Sequence, residues 1–318
     1  MSFKEGLTAF LVNFSNKGMV YFGHGICKSK SDAYIENLHL STDDLISVIK
    51  FWKRMKVKFL SLDEVTELSK NKFKHKGPWV HFTFDDGYQN NLLYLSPIME
   101  EYQIPFSVFI TTDFIGKNEF LPSTSIRIAV LNTQKEITID GIQTKGLSSK
   151  TDIADKLVKH YKYLPADEGH VLLSKIQSLL SEDEWRHYKT VYKNDLPLSM
   201  DELKKLSSNP YCQIGAHTHS HTILHCKQKH ETIIKELNNP ISELSSITNS
   251  NINSFAYPNG TKRDYTENVI AEVKKAGYET AFTTSTDFVS SKTDPLTIPR
   301  YVLTSKGGWI AKLWMKNL

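Results

Sequence analysis

Trp79-Val80-His81-Phe82-Thr83-Phe84-Asp85-Asp86-Gly87 is the stretch on which the fold turns. Its first six residues are apolar or aromatic with no helical period. Gly77-Pro78 stands before them and Asp85-Asp86-Gly87 stops them, so the pattern predicts a buried strand over 79–84 whose C-terminal end carries two acids. Adjacent carboxylates repel, and one is easily neutralised unless a cation sits beside them. A metal ion would resolve that conflict. Asp-Asp-Gly is also ordinary turn chemistry, because Asp and Gly are favoured turn residues.

Upstream, residues 19–23 read as a short buried strand ending in Gly23-His24-Gly25, where glycine permits a sharp turn. Ser41-Thr42-Asp43-Asp44 opens a helix whose apolar positions, from Leu45 to Trp52, follow helical spacing. A second short helix over 61–71 starts with Ser61 and Glu64 in a capping-box arrangement. Downstream, a helix over 89–102 and a strand over 105–111 complete a strand-helix-strand alternation, as expected for a parallel sheet or barrel.

Between 117 and 197 the text changes character. Helical patterns over 151–161, 167–180 and 182–192 surround a small hairpin near 136–143, which reads as a mostly helical insertion within a single domain spanning 1–318. After Ser199-Met200-Asp201-Glu202, a good helix start, strands near 213–216, 254–257, 279–283 and 296–302 resume. Helices near 230–247 and 265–276 lie between them, with Gly277 as a C-cap.

A length of 318 residues exceeds the usual domain but suits one α/β barrel or a domain with an insertion. Apolar residues at 40% and charged residues at 23% exclude disorder and collagen-like repeats. The net charge of +4 is too thinly spread to imply nucleic-acid binding, no recognition motif is present, and no nucleic-acid partner is expected. A sequence pI near 8.7 leans weakly towards an anionic or polar ligand. Cys27, Cys212 and Cys226 form no CxxC pair and no disulfide framework, which fits a reducing setting. The apolar stretch at 7–12 is shorter than a signal-peptide core, and no run of about 18 apolar residues suggests a membrane span. A cytoplasmic location is the resulting expectation.

Four of the chain's 12 histidines, His217, His219, His221 and His225, follow the strand near 213–216 closely. His217 and His221 are four apart, so on one helical turn both imidazoles would face one side, as when two histidines share a metal; His219 would then point elsewhere. Two histidines with one carboxylate leave coordination positions open for water and substrate, as in catalytic zinc or non-haem iron sites. Any of the four could instead be a satisfied core or surface residue, and His225 and His230 read that way.

These residues carry a resemblance. Thr83-Phe84-Asp85-Asp86-Gly87 resembles the first motif of the polysaccharide deacetylase family (carbohydrate esterase family 4, the NodB-homology fold), and His217-Thr218-His219-Ser220-His221 with Leu224 resembles its second. Phe255-Ala256-Tyr257-Pro258-Asn259-Gly260 is similar to the third motif in the branch that writes it FAYPxG. Ala276-Gly277-Tyr278, Ala281-Phe282-Thr283-Thr284 and Ile298-Pro299-Arg300 resemble that branch's tail.

The resemblance implies a distorted (β/α)7-type barrel, a divalent metal, usually zinc, and hydrolysis of an N- or O-acetyl group on a sugar in a polysaccharide or its precursor. By the same resemblance Asp85 would be the catalytic base, Asp86, His217 and His221 the metal ligands, and the backbone N–H of Asn259 an oxyanion donor. Two departures stand out. The Arg usual two residues before the motif-three proline is here Ala256, and Arg300 is the candidate to orient Asp85 instead, with a surface Arg as the alternative. The late Leu-x-His motif that supplies the general acid is missing. His24 resembles the acid of branches that supply it from an early strand, and a buried structural His is the other reading. Deformylation or hydrolysis of another amide by the same machinery is an alternative function, as is a carbohydrate-binding barrel without activity. Trp52, Trp79, Trp185, Trp309 and Trp314 are not assigned to substrate, because a lone Trp at helical or strand spacing is usually core.

Overall fold

Seven short strands, each buried almost throughout, run in one path through an eight-stranded parallel sheet: β1 Gly18–Gly23, β2 Trp79–Phe84, β3 Phe106–Ile110, β4 Cys212–Ala216, β5 Ser254–Ala256, β6 Thr280–Phe282 and β7 Tyr301–Val302, with the two-residue strand Lys58–Phe59 pairing beside β2 off that path. The computed structural model describes residues 17–28, 35, 39–70, 75–143 and 149–303. The apolar stretch at 7–12, Trp309 and Trp314 lie outside them. The spatial order is β6-β5-β4-β3-β2-β1-β7. Every pairing along it is parallel, with Phe82 of β2 opposite Tyr21 on one side and Phe106 on the other. Continuous apolar strands are what a parallel sheet covered on both faces requires.

Closure comes from the last strand. Ile298 bridges Phe282 of β6, and Tyr301 pairs with Tyr21 of β1, so residues 298–302 join the two edges and the sheet curls into a (β/α) barrel. The expected strand over 296–302 is therefore broken in its middle. Pro299 has no N–H to give a ladder, and Arg300 N–H donates instead to Ser285 O (2.9 Å).

The helices follow their caps. Ser41 caps α1 (Thr42–Arg54), and Ser61 and Glu64 form the capping box of α2 (Leu62–Ser69). The helix expected over 89–102 starts as a π turn over Asn91–Leu95 before α3 (Ser96–Glu101). Asn90 and Asn91 explain the irregular start, since their side chains serve the neighbouring loops: Asn90 Oδ1 accepts from Ile26 N–H (2.9 Å) and Asn91 Nδ2 donates to His24 O (2.9 Å).

Residues 117–197 form a helical lobe with its own apolar core. Helices α5 (Lys150–Lys162), α6 (Ala166–Gln177) and α7 (Glu182–Val191) match the sequence reading closely. The reading missed α4 (Pro122–Asn132), which buries Ile126, Ile128, Ala129 and Val130; a helix apolar on most sides shows no amphipathic period. The chain then returns to the barrel through α8 (Met200–Ser207), α9 (His230–Thr248) and α10 (Glu267–Lys275). Trp52 and Trp79 are core residues. Cys27, Cys212 and Cys226 are free thiols, and no helix among the described residues is long and apolar enough to cross a membrane.

His81 sits wholly inside β2, its Nδ1 2.8 Å from Leu60 O and its Nε2 2.8 Å from Ser107 Oγ. Burial pushes its pKa down to about 4, against the smaller opposing pull of the Leu60 carbonyl. The folded state thus refuses a proton that the unfolded chain accepts near pH 6.5, so stability is full above that value and declines as pH falls towards 4. Unfolding titrations should show the wild type losing up to about 3 kcal/mol more over this window than His81→Gln. Equal pH slopes for the two proteins would refute this assignment.

Candidate active site

The site is assembled at the C-terminal ends of the strands. Asp85 N–H donates to Gly23 O (2.9 Å), which extends the β1–β2 ladder to the first acid. Asp86 and Gly87 then take positive φ values of 77° and 79°, reversing the chain within two residues. Gly87 is required twice over: by its φ, and because a Cβ there would come within 2.8 Å of Ile110 Cδ1.

Arg300 reaches Asp85 from the broken final strand. Its Nη1 donates to Asp85 Oδ1 and its Nη2 to Asp85 Oδ2, both at 2.8 Å, while Nε donates to Thr283 O (3.0 Å) and Nη1 also to Thr83 Oγ1 (3.0 Å). The guanidinium is fully buried and lies over the Phe22 ring, 4.8 Å from its centroid. Burial pushes the Asp85 carboxyl up, but Arg300, then His217 and His24, pull it below the ordinary range, so it is ionised.

His217 follows β4, its N–H donating to Ile110 O (2.9 Å). From there to His225 the chain is irregular, so the one-turn helix expected between His217 and His221 is not present. Thr218 and His221 both have φ of 61°, incompatible with a helical turn. The loop is held from outside: the buried Glu236 of α9 accepts from Ser220 N–H (2.8 Å) and Ser220 Oγ (2.6 Å), and His219 O accepts from Asp113 N–H (2.8 Å). The two imidazoles still meet, with ring centroids 5.2 Å apart, while His219 turns away to Thr112 Oγ1 (2.9 Å). His225 is buried against the Tyr163 ring, and His230 is exposed at the start of α9.

Asp86 Oδ1 lies 3.4 Å from His217 Nε2 and 3.2 Å from His221 Nε2. One ligand atom from each of the three residues falls within 4.8 Å of the others, and Asp86 Oδ1 is buried without a hydrogen-bond donor. His217 Nδ1 is 2.8 Å from Ala256 O, an atom that can only accept, so Nδ1 carries a proton, and in the neutral ring Nε2 is the acceptor that faces Asp86. A carboxylate oxygen and two imidazole nitrogens converging on one point fit a cation. Burial pushes the Asp86 carboxyl up, and the facing His221 and His217 more than reverse this, holding it well below the ordinary range. Burial pulls His217 down, but Asp85 and Asp86 outweigh it and raise its pKa.

His24 and Asn259 line the same cavity of about 280 Å³ as Asp85, Asp86, His217 and His221. Burial holds the His24 imidazole below its ordinary pKa, against the upward pull of Asp86 and Asp85. Asn259 has φ of 61°, and among the described residues no acceptor takes its backbone N–H. The sequence reading missed several wall residues, Tyr88, Lys162 and Thr284 among them. Tyr88 directly follows the Asp-Asp-Gly turn and was there to be noticed. Lys162 belongs to the helical lobe, and nothing local in the sequence brings it to the barrel.

Residues 72–281, most of the chain, match the family described as polysaccharide deacetylase. The chain belongs to the polysaccharide deacetylase family. It is 31% identical over 109 residues to a poly-beta-1,6-N-acetyl-D-glucosamine N-deacetylase from Staphylococcus aureus; the match spans 34% of this chain and 34% of that relative's length. Its fold resembles that of the Streptococcus pyogenes deacetylase PplD in complex with acetate (TM-score 0.60, 16% identity, 94% of this chain and 99% of that one). It also resembles IcaB from Ammonifex degensii (TM-score 0.62, 13% identity, 95% and 98%).

The buried ion pair makes a separate demand on stability. Arg300→Met leaves the Asp85 charge buried and uncompensated, so chemical denaturation should show a loss of about 3–5 kcal/mol, and adding Asp85→Asn should recover part of it. A double variant no more stable than Arg300→Met would contradict this account.

Proposed function

We propose that the chain removes the N-acetyl group from N-acetylglucosamine units of a polysaccharide or its precursor, a substrate class taken from the printed name of the Staphylococcus aureus relative. The observation that carries the reading is the convergence of Asp86, His217 and His221 on one point beside the Arg300-fixed carboxylate of Asp85 in one cavity.

Asp86, His217 and His221 would hold a divalent cation, and two nitrogens with one carboxylate oxygen suit zinc. When bound, such an ion supplies Lewis acidity and lowers the pKa of water towards about 7. The chain's own residues do the rest. Asp85 spends one lone-pair direction of each oxygen on Arg300 and keeps the others, enough to orient a water molecule and take its proton as the water oxygen bonds to the acetamide carbon. The Asn259 N–H donates to the oxygen on which negative charge develops. His24 gives a proton to the sugar nitrogen as the C–N bond breaks, so acetate and a free amine leave. Burial lowers the pKa of His24, which makes its protonated form the readier donor.

An amine leaves only with a proton, whereas an aryl oxide leaves without one. His24→Ala should therefore lower acetate release from an N-acetylated oligosaccharide by about 10²–10⁴ while sparing an aryl acetate ester. Asp85→Asn should abolish both with metal content unchanged. Equal losses on the amide and the ester would remove His24 from the acid role.

Metal analysis tests the ligand set directly. The purified protein should hold about one divalent ion, and His217→Ala should lose it, with at least a tenfold fall in affinity. Full metal occupancy in His217→Ala, or a wild type that binds metal and sugar but releases no acetate, would count against the reading.

A further inference from the structure

Asp264 lies outside the cavity, is 1% exposed, and ties together two parts of the chain about a hundred residues apart. Its Oδ1 accepts from Tyr163 Oη (2.8 Å), at the end of α5 in the helical lobe. Its Oδ2 accepts from Asn259 Nδ2 (2.7 Å), from Thr261 N–H (2.8 Å) and from Thr261 Oγ1. One buried carboxylate thus holds the 259–261 turn on one side and the lobe on the other. The same junction has three further contacts: Lys162 Nζ lies 3.4 Å from Asn259 Oδ1, Arg263 lies over the Tyr163 ring at 5.4 Å, and Thr284 Oγ1 donates to Asn259 O (2.8 Å).

The turn needs such holding. Asn259 and Gly260 both have positive φ, 61° and 60°, a region open to asparagine and glycine, and the turn lies outside any helix or strand that would secure it. The Asn259 N–H lies in the peptide plane shared with Pro258, so its direction follows how this turn is held. A shift of about 1 Å in a reacting or charge-stabilising group costs on the order of 10²-fold in rate.

We propose that Asp264 is a positioning residue that clamps the Asn259 turn to the helical lobe through Tyr163, so that the lobe sets where the main-chain donor points. This rests on the proposed deacetylase reading for its catalytic consequence, but the clamp itself can be measured without activity.

The test uses the full chain as purified with its metal, in wild type, Asp264→Asn and Tyr163→Phe. Hydrogen exchange should accelerate in peptides covering both 258–262 and 160–166 in each variant, with metal content unchanged. On an aryl acetate ester, kcat should fall about tenfold in Tyr163→Phe and about a hundredfold in Asp264→Asn, with KM within about twofold of wild type. If Asp264→Asn does not fold, Tyr163→Phe carries the test alone. Unchanged exchange at 258–262 in Tyr163→Phe overturns the clamp, and faster exchange with unaltered kcat overturns the positioning role. A wild type without esterase activity defeats the deacetylase reading and the role assigned within it, whereas exchange decides the clamp in either case.

Discussion

Two adjacent buried carboxylates set the terms for the whole molecule. Asp85 and Asp86 stand at the end of one strand, shielded from water, and each raises the cost of ionising the other unless positive charge is supplied on both sides. Asp85 receives it from Arg300, and Asp86 faces His217 and His221. Arg300 can arrive only if the last strand returns to the first, because residues 298–302 bridge β6 and β1. Barrel closure therefore brings Asp85 its buried counter-charge. The break at Pro299-Arg300, a defect in a ladder, frees the Arg300 backbone from strand pairing on both sides and leaves its side chain inside the barrel.

Ala256 stands where the resemblance would place an arginine, and its carbonyl accepts from His217 Nδ1. A guanidinium from another strand meets the same electrostatic requirement with both oxygens of Asp85 engaged. What the site requires is a buried, bidentate positive partner for the first acid, and the barrel offers more than one strand end from which to deliver it.

Much of this was legible in the sequence wherever a local rule operates. The uninterrupted apolar run of β2, ended by Asp-Asp-Gly, and the capping boxes at Ser61 and Ser199 declared their elements to within a residue or two. Periodicity fails where burial is all-round, as in α4, and where side chains override the backbone, as Asn90 and Asn91 do before α3. The spacing of His217 and His221 selected the pair but implied a helical turn. Four residues also bring two side chains together when Thr218 and His221 both take positive φ and an outside acid holds the loop. Arg300 could be nominated only because a position was missing elsewhere. Lys162 and Asp264 had no local signal, since their neighbours in space are distant in sequence.

The last of these points to a shared logic in how the loops are held. Neither loop that carries reacting groups is a regular element, so neither is stiffened by its own ladder of hydrogen bonds. Each is instead gathered by one buried acid outside the cavity: Glu236 takes two donors from Ser220 beside the imidazoles, and Asp264 takes three from the turn at Asn259. A carboxylate suits this task because it accepts several bonds at once and strengthens each by its charge. The two acids differ in what lies behind them. Glu236 is rooted in α9, packed on the barrel, whereas Asp264 also reaches Tyr163 in the lobe. A change at Tyr163 can thus be transmitted to the Asn259 turn through the Asp264 carboxylate, and to the end of the imidazole loop through the ring of His225.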